Sequence, residues 1–140
     1  MTKIVLDSSL VAKWYLRDES DIHIADTIVG DYLTDTIQIY FPPLVIYEIG
    51  NILFTASLLK RITKSDGEKS FNNFIQHPFE YKNPIYTNVL KLAYQFIITF
   101  YDAAYIALAK DLNCPFYTGD EKLYKKVKND LSFVYSLKEY

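Results

Sequence analysis

The sequence is short of cysteine, histidine and glycine, and each shortage removes a class of explanation. Cys114 is the only cysteine among 140 residues, so neither a disulfide framework nor a thiolate zinc site is expected. It stands before Pro115 beside a strand candidate, where a small buried hydrophobe is the expected role. The 2 histidines, His23 and His77, fall away from every acid-bearing segment, so no histidine metal centre and no histidine–nucleophile pair is expected. Ser8 and Ser9 lack the glycine-flanked turn that presents a serine nucleophile. With only 4 glycines, the elements should be joined tightly, without a linker. No apolar run is long enough to span a bilayer. Residues 89–109 come nearest, and Lys91, Gln95 and Asp102 interrupt them. No basic leader with a cleavage site precedes the first apolar segment, and the expectation is a cytoplasmic protein without membrane contact.

What is present points to a globular chain. Half of it is hydrophobic and 23% is charged, which fits a folded domain rather than disorder. One domain over residues 1–140 is expected, burying roughly 70% of the surface the unfolded chain exposes. Aromatic residues reach 16%, enough to supply a large core or a subunit interface. The stripe Tyr94, Phe96, Phe100, Tyr101 and Tyr105 is read as packing first and as a base-stacking surface second. Trp14 is read as core or interface in the same way. A net charge of −2 makes no global electrostatic case for nucleic acid. Lysine and arginine do cluster locally, at Lys60, Arg61 and Lys64 and again at Lys122, Lys125, Lys126 and Lys128. A solvated basic face accounts for each cluster taken alone.

Strand candidates lie at 3–7, 37–41, 115–118 and 132–136, with a weaker one near 79–82. Helical periodicity fits 8–16, 22–33, 43–61, 64–76, 86–98, 102–112 and 120–129. Pro42 and Pro43 mark a helix start, since proline suits the first turn. Strands alternating with helices need crossover connections, so the expected fold is α/β, three layers with a central, mostly parallel sheet. In such a sheet the carboxyl ends of the strands share one rim, where ligands bind. That places Asp7, which ends the strand IVLD, and Asp120, just past Thr118, on the same rim.

Four carboxylates stand out, each with a plain structural explanation beside it. Asp7 and Asp120 both precede helices and suit N-caps; Asp120 opens DEKLYKKV, with acids first and bases later, as the helix dipole prefers. Glu48 shares a helical face with Leu44, Val45, Ile49, Ile52, Leu53 and Ala56. A carboxylate there needs a cation, a hydrogen-bond network or a raised pKa, unless the helix rolls it to a groove edge. Asp102, in TFYDAAYIALAK, precedes residues apolar almost all round, and Phe100 and Tyr101 suggest a helix that begins inside the protein. Of the flanking segments only Lys13 offers a positive charge, and one lysine cannot balance four acids. A divalent cation balances them together. Oxygen-only donors without histidine or cysteine suit Mg²⁺ or Mn²⁺ rather than zinc.

These residues, in this order, resemble the PIN-domain nucleases, and among them the VapC-type toxins of toxin–antitoxin pairs. VLDSSLVAKWYL is similar to the first motif and supplies Asp7 and Ser9. YEIGNIL is similar to the second, with Glu48 and, one turn on, Asn51. YDAAYIALA, the most specific of the four, matches the third with Asp102. YTGDEKL matches the fourth with Thr118 and Asp120; Glu121 is adjacent and is assigned no ligand role. The segment 63–90 matches no motif. The resemblance implies an endoribonuclease that hydrolyses RNA phosphodiesters with one or two Mg²⁺ or Mn²⁺ ions. Asp7, Glu48, Asp102 and Asp120 would hold the metal, and Ser9, Thr118 and Asn51 would orient water or phosphate. It also implies a homodimer silenced by an antitoxin protein, whose arginine or lysine the acidic pocket would attract. Such a pocket repels RNA without metal, so the phosphate grip must come from basic residues on the rim. Lys13, Lys60, Arg61, Lys122 and Lys125 are the candidates.

Rival readings fit less well. A phospho-acceptor signalling domain also gathers Mg²⁺-binding acids at strand ends, but it carries paired acids after its first strand, and here Asp7 stands alone. Haloacid-dehalogenase-like phosphatases place a second acid two residues after the first, where this chain has Ser9. A non-catalytic scaffold of the same fold tolerates loss of acids, and none is missing. A nuclease for RNA processing, without an antitoxin, is the alternative among enzymes.

Overall fold

The computed structural model describes residues 1–140. Its first apolar run forms strand β1 (Thr2–Leu6), in which Ile4, Val5 and Leu6 are all buried. Three successive buried residues require cover on both faces, because neighbouring side chains in a strand point to opposite sides. Four further strands run parallel to it: β2 (Ile37–Phe41), β3 (Glu80–Tyr81), β4 (Phe116–Thr118) and β5 (Val134–Ser136). Helices α1 (Ser8–Tyr15), α2 (Ile22–Leu33), α3 (Leu44–Leu58), α4 (Lys64–Gln76), α5 (Tyr86–Phe96), α6 (Phe100–Leu112) and α7 (Glu121–Val127) complete a three-layer α/β/α fold. A short 3-10 turn, Leu137–Glu139, follows β5.

The strand order is β3-β2-β1-β4-β5. The chain builds outward from β1 through β2 to β3, then returns to lay β4 on the other side of β1. The strand order therefore reverses between β1 and β4, and in open parallel sheets the crevice at that reversal is where ligands bind. Val5 pairs with Phe116 and Leu6 with Tyr117, so the residues that follow the two strands, from Asp7 and from Thr118, emerge side by side.

Helix α6 packs against β1 and β4. Every residue from Ala103 to Ala109 is buried, and four of those seven are alanine, whose small side chain lets a helix approach the sheet closely. The unassigned segment 63–90 is fastened by aromatic packing: Phe79 meets Tyr32, Phe41, Phe74 and Trp14 at ring-centroid separations of 4.9, 5.2, 5.6 and 6.0 Å. His77 packs on the same ring, a structural role.

Three expectations from the sequence are corrected. Helix α6 begins at the surface, not inside: Thr99 caps it, and Phe100 and Tyr101 are 43% and 63% exposed. The aromatic stripe is therefore not one surface, since Tyr94 is exposed while Tyr105 is buried. Helix ends also fall short of the periodic runs. Lys60 and Ile97 adopt left-handed backbone, with φ of 58° and 51°, and so stop α3 and α5 early. No single helix is long and apolar enough to cross a membrane; α5 and α6 together are, but they meet at 118°.

Candidate active site

Asp7 closes β1 and begins α1, and its carboxylate is enclosed by donors. Oδ1 accepts from the Ser9 hydroxyl and from the Leu10 N–H at 3.2 Å; the Thr118 hydroxyl donates to Oδ2. Both hydroxyls accept in turn: Ser9 from the Gly119 N–H at 3.1 Å, Thr118 from the Asp120 N–H at 2.9 Å. A closed ring of hydrogen bonds thus ties the end of β1 to the turn after β4. Ser9 and Thr118 each have one hydroxyl proton, and here both are given to Asp7. Their observed task is to hold that carboxylate.

Asp7 is buried all the same, and burial pushes its pKa up to about 6; the three hydrogen bonds oppose the rise and the charge of Asp102 adds to it. Glu48, half-buried on α3, accepts a hydrogen bond from the Tyr105 hydroxyl of α6. Its pKa is raised chiefly by burial and further by Asp7 and Asp102, while Tyr105 and Ser8 oppose the rise. Asp102, in the first turn of α6, is raised by burial and then by Asp120, with Thr99 and Lys126 opposing. Asp120 caps α7 through the Leu123 N–H at 3.0 Å. The structural reading of Asp7 and Asp120 as caps is therefore correct, and it coexists with their place in a cluster. Glu48 senses Asp7 and Asp102, and Asp102 senses Asp120. Charge thus links the four acids, although they come from four separate segments.

No salt bridge neutralises them: the three in the structure join Arg17 to Asp26 and Arg61 to Asp18 and Glu19. Lys13, the one cation expected nearby, is buried and donates to the Ser20 carbonyl at 2.9 Å. Lys13 is thus engaged inside the protein, while Arg61 forms exposed ion pairs with Asp18 and Glu19. Lys60, Lys122 and Lys125 are exposed. A hollow of about 200 Å³ beside the acids is lined by Asp102, Asp120, Lys122 and Lys126, with Ile97, Ile98, Thr99 and Leu123. Asn51 is exposed one turn past Glu48, and Glu121 is turned away to accept from Ser136.

Two participants escaped the sequence reading. Tyr105 passed as core packing, although a hydroxyl one turn after Asp102 in an otherwise apolar run was a usable signal. Lys126 passed as one member of a charge run, and only the fold sets it beside Asp102.

Gly119 marks how tightly the turn is packed. A Cβ there would lie 3.1 Å from Ser9 Oγ, 3.4 Å from Lys13 Cε and 3.6 Å from Leu10 N. Gly119→Ala should therefore displace Ser9 and lower stability by about 1–3 kcal/mol, as overpacking commonly does. Urea unfolding reads the difference; an unchanged midpoint would show the turn to be looser than described.

The donors suit a hard divalent cation: carboxylate oxygens only, mutually repelling, at the sheet's reversal point and without a basic partner at salt-bridge distance. No three acidic, histidine or cysteine side chains already stand close enough to enclose an ion.

Comparison with known proteins agrees with the fold. The PIN domain family profile matches residues 4–129. A solved structure described as the crystal structure of PAE2754 from Pyrobaculum aerophilum aligns with a TM-score of 0.70 at 22% identity, covering 99% of this chain and 92% of that one. At that identity the likeness speaks for the fold alone. No curated protein matches the chain.

Proposed function

This chain belongs to the PIN domain family, whose members are generally metal-dependent nucleases, and from that premise we propose a Mg²⁺- or Mn²⁺-dependent endoribonuclease acting as the toxin of a VapBC-type pair. The observation that carries the proposal is the cluster itself. Asp7, Glu48 and Asp102 each have a raised pKa to which a neighbouring acid contributes, Asp120 acting on Asp102, at the reversal point of the sheet. A structural cap needs no such company, and like charges brought together in a protein usually serve a site.

The four acids would hold the ion. When bound, it supplies positive charge to the phosphodiester and makes water a stronger acid. The chain's own residues do the rest. Ser9 and Thr118 keep Asp7 ionised and oriented by donating to it, and Leu10 does the same from the backbone. Lys122 and Lys126, which line the same hollow as Asp102 and Asp120, attract the phosphate backbone, which the carboxylates alone repel. Exposed Lys60 and Lys125 extend that attraction along the surface.

The RNA preference and the toxin role rest on the motif resemblance. Exposed apolar side chains supply surface for the proposed homodimer and antitoxin: Tyr47, Phe54 and Leu58 on α3, and Tyr94, Ile97 and Tyr101 around the α5–α6 corner. An arginine or lysine from the antitoxin would satisfy the acids as the metal does.

Metal removal tests the reading. Chelation should reduce RNA cleavage to background, and Mg²⁺ or Mn²⁺ should restore it and raise the unfolding temperature, because a ligand that binds only the folded state stabilises it. Cleavage that persists in chelator would end the proposal. The toxin role is tested apart from this, by growth arrest on expression and its relief by the product of a small reading frame immediately upstream.

A further inference from the structure

Three of the four acids stand at helix N-termini, and two of them are held there as caps. Asp7 caps α1, Asp120 caps α7, and Asp102 lies in the first turn of α6. Glu48 differs, because it stands within α3 on a long side chain with no cap to hold it. Its carboxylate accepts a hydrogen bond from the Tyr105 hydroxyl, and the Ser8 hydroxyl stands beside the same pair. We propose that Tyr105 is a positioning residue of the site, its phenol restraining the Glu48 carboxylate within the electrostatic reach of Asp7 and Asp102, so that it is at hand when the divalent ion is taken up. The inference rests on the reading of the four acids as the metal-holding set.

Tyr105 is built for that task. Its ring is 1% exposed and stacks on Phe116 with centroids 6.0 Å apart and planes 19° from parallel. Phe116 is wholly buried in β4, the strand that hydrogen-bonds beside β1. The ring is thereby fixed to the centre of the sheet, and its hydroxyl is the only part with polar business. Packing alone asks for a phenylalanine here; the oxygen is explained by its partner. A phenol carries its proton at neutral pH, so Tyr105 is the donor and the carboxylate the acceptor. Tyr105 also lies one turn after Asp102 on the same helix. Helix α6 therefore delivers one acid directly and fixes a second, from α3, through a hydrogen bond. A carboxylate left free at a groove edge samples solvent-facing rotamers, and gathering it on metal uptake then carries an added entropic cost.

The test is Mn²⁺ binding by calorimetry on four proteins: wild type, Tyr105→Phe, Glu48→Gln and the double variant. Loss of a hydrogen bond that orients a metal ligand typically weakens metal binding about 10–100-fold, and Tyr105→Phe should fall in that range. The double variant should bind no more weakly than Glu48→Gln, because Tyr105 acts through Glu48. Near-ultraviolet circular dichroism in chelator checks that the phenylalanine still packs on Phe116. Glu48→Asp, which keeps the charge but shortens its reach to the phenol, should weaken binding whether or not Tyr105→Phe folds. Wild-type affinity in Tyr105→Phe, or in Glu48→Asp, overturns the inference, and so does a double variant weakened additively. A wild-type protein that binds no Mn²⁺ overturns the nuclease reading, and this inference with it; the four titrations separate the two failures.

Discussion

Asp102→Asn should abolish Mg²⁺-dependent RNA cleavage and leave the chain folded. The substitution keeps the shape of the side chain and removes one negative charge from the cluster. Its effect should exceed the roughly 100-fold that marks the upper end for a supporting hydrogen bond, since a ligand itself is changed. Stability should hardly move. Thr99 caps α6 through the backbone N–H of residue 102 at 3.0 Å, and that bond does not depend on the side chain. Loss of a carboxylate near the helix N-terminus weakens the helix by about 0.3–1 kcal/mol, and relief of repulsion with Asp120 offsets part of it. Cleavage assays with wild type and variant at matched fold, judged by circular dichroism, decide the matter. A variant that cuts as fast as wild type removes Asp102 from the site.

The second large effect is on stability, and it runs opposite to activity. Asp7→Asn should cleave no RNA, yet in chelator at pH 8 it should be more stable than wild type. Burial moves the Asp7 pKa from 3.8 in the unfolded chain to about 6 in the folded protein. The folded protein thus binds the proton more tightly than the unfolded chain does. Above pH 6 the native state carries the full penalty of a buried charge. As pH falls from 6 to 4 the penalty is withdrawn, and below the unfolded value it is gone. At about 1.4 kcal/mol per pKa unit the span is about 3 kcal/mol. Asparagine has no charge to bury, so its advantage should be greatest at pH 8 and should vanish near pH 4. Asp18, Asp26 and Asp66 have carboxyls below the ordinary value through Arg61, Arg17 and Thr63, and acid weakens them. They are common to both proteins and cancel in the comparison. Urea midpoints from pH 4 to 8 give the difference directly. A variant less stable than wild type at every pH would reduce Asp7 to a helix cap.

Sites that destabilise the empty protein are a known consequence of function, because charges gathered for a ligand repel until it arrives. The ring around Asp7 shows the compromise. Ser9, Leu10 and Thr118 make the buried charge tolerable without neutralising it, and Lys13, which could have neutralised it, is directed to Ser20 instead.

Much of this was legible in the amino-acid order. The five strands and seven helices follow from local signals: short apolar runs, 3.6-residue periodicity, and the caps Asp7 and Asp120. The rim shared by Asp7 and Asp120 follows as well, since parallel strands put their carboxyl ends on one side. Glu48 and Asp102 were legible as acids in apolar company. What only the tertiary structure decided is which groups touch. The bond from Tyr105 to Glu48 spans 57 residues and that from Thr118 to Asp7 spans 111; no local pattern encodes either one. The burial of Lys13, the clamp of Asp18 and Glu19 on Arg61, and the exposed start of α6 are of the same kind. Periodicity states which way a side chain points from its own helix. Whether water, a carbonyl or another carboxylate waits there depends on the element packed against it, and the order β3-β2-β1-β4-β5 sets that neighbour.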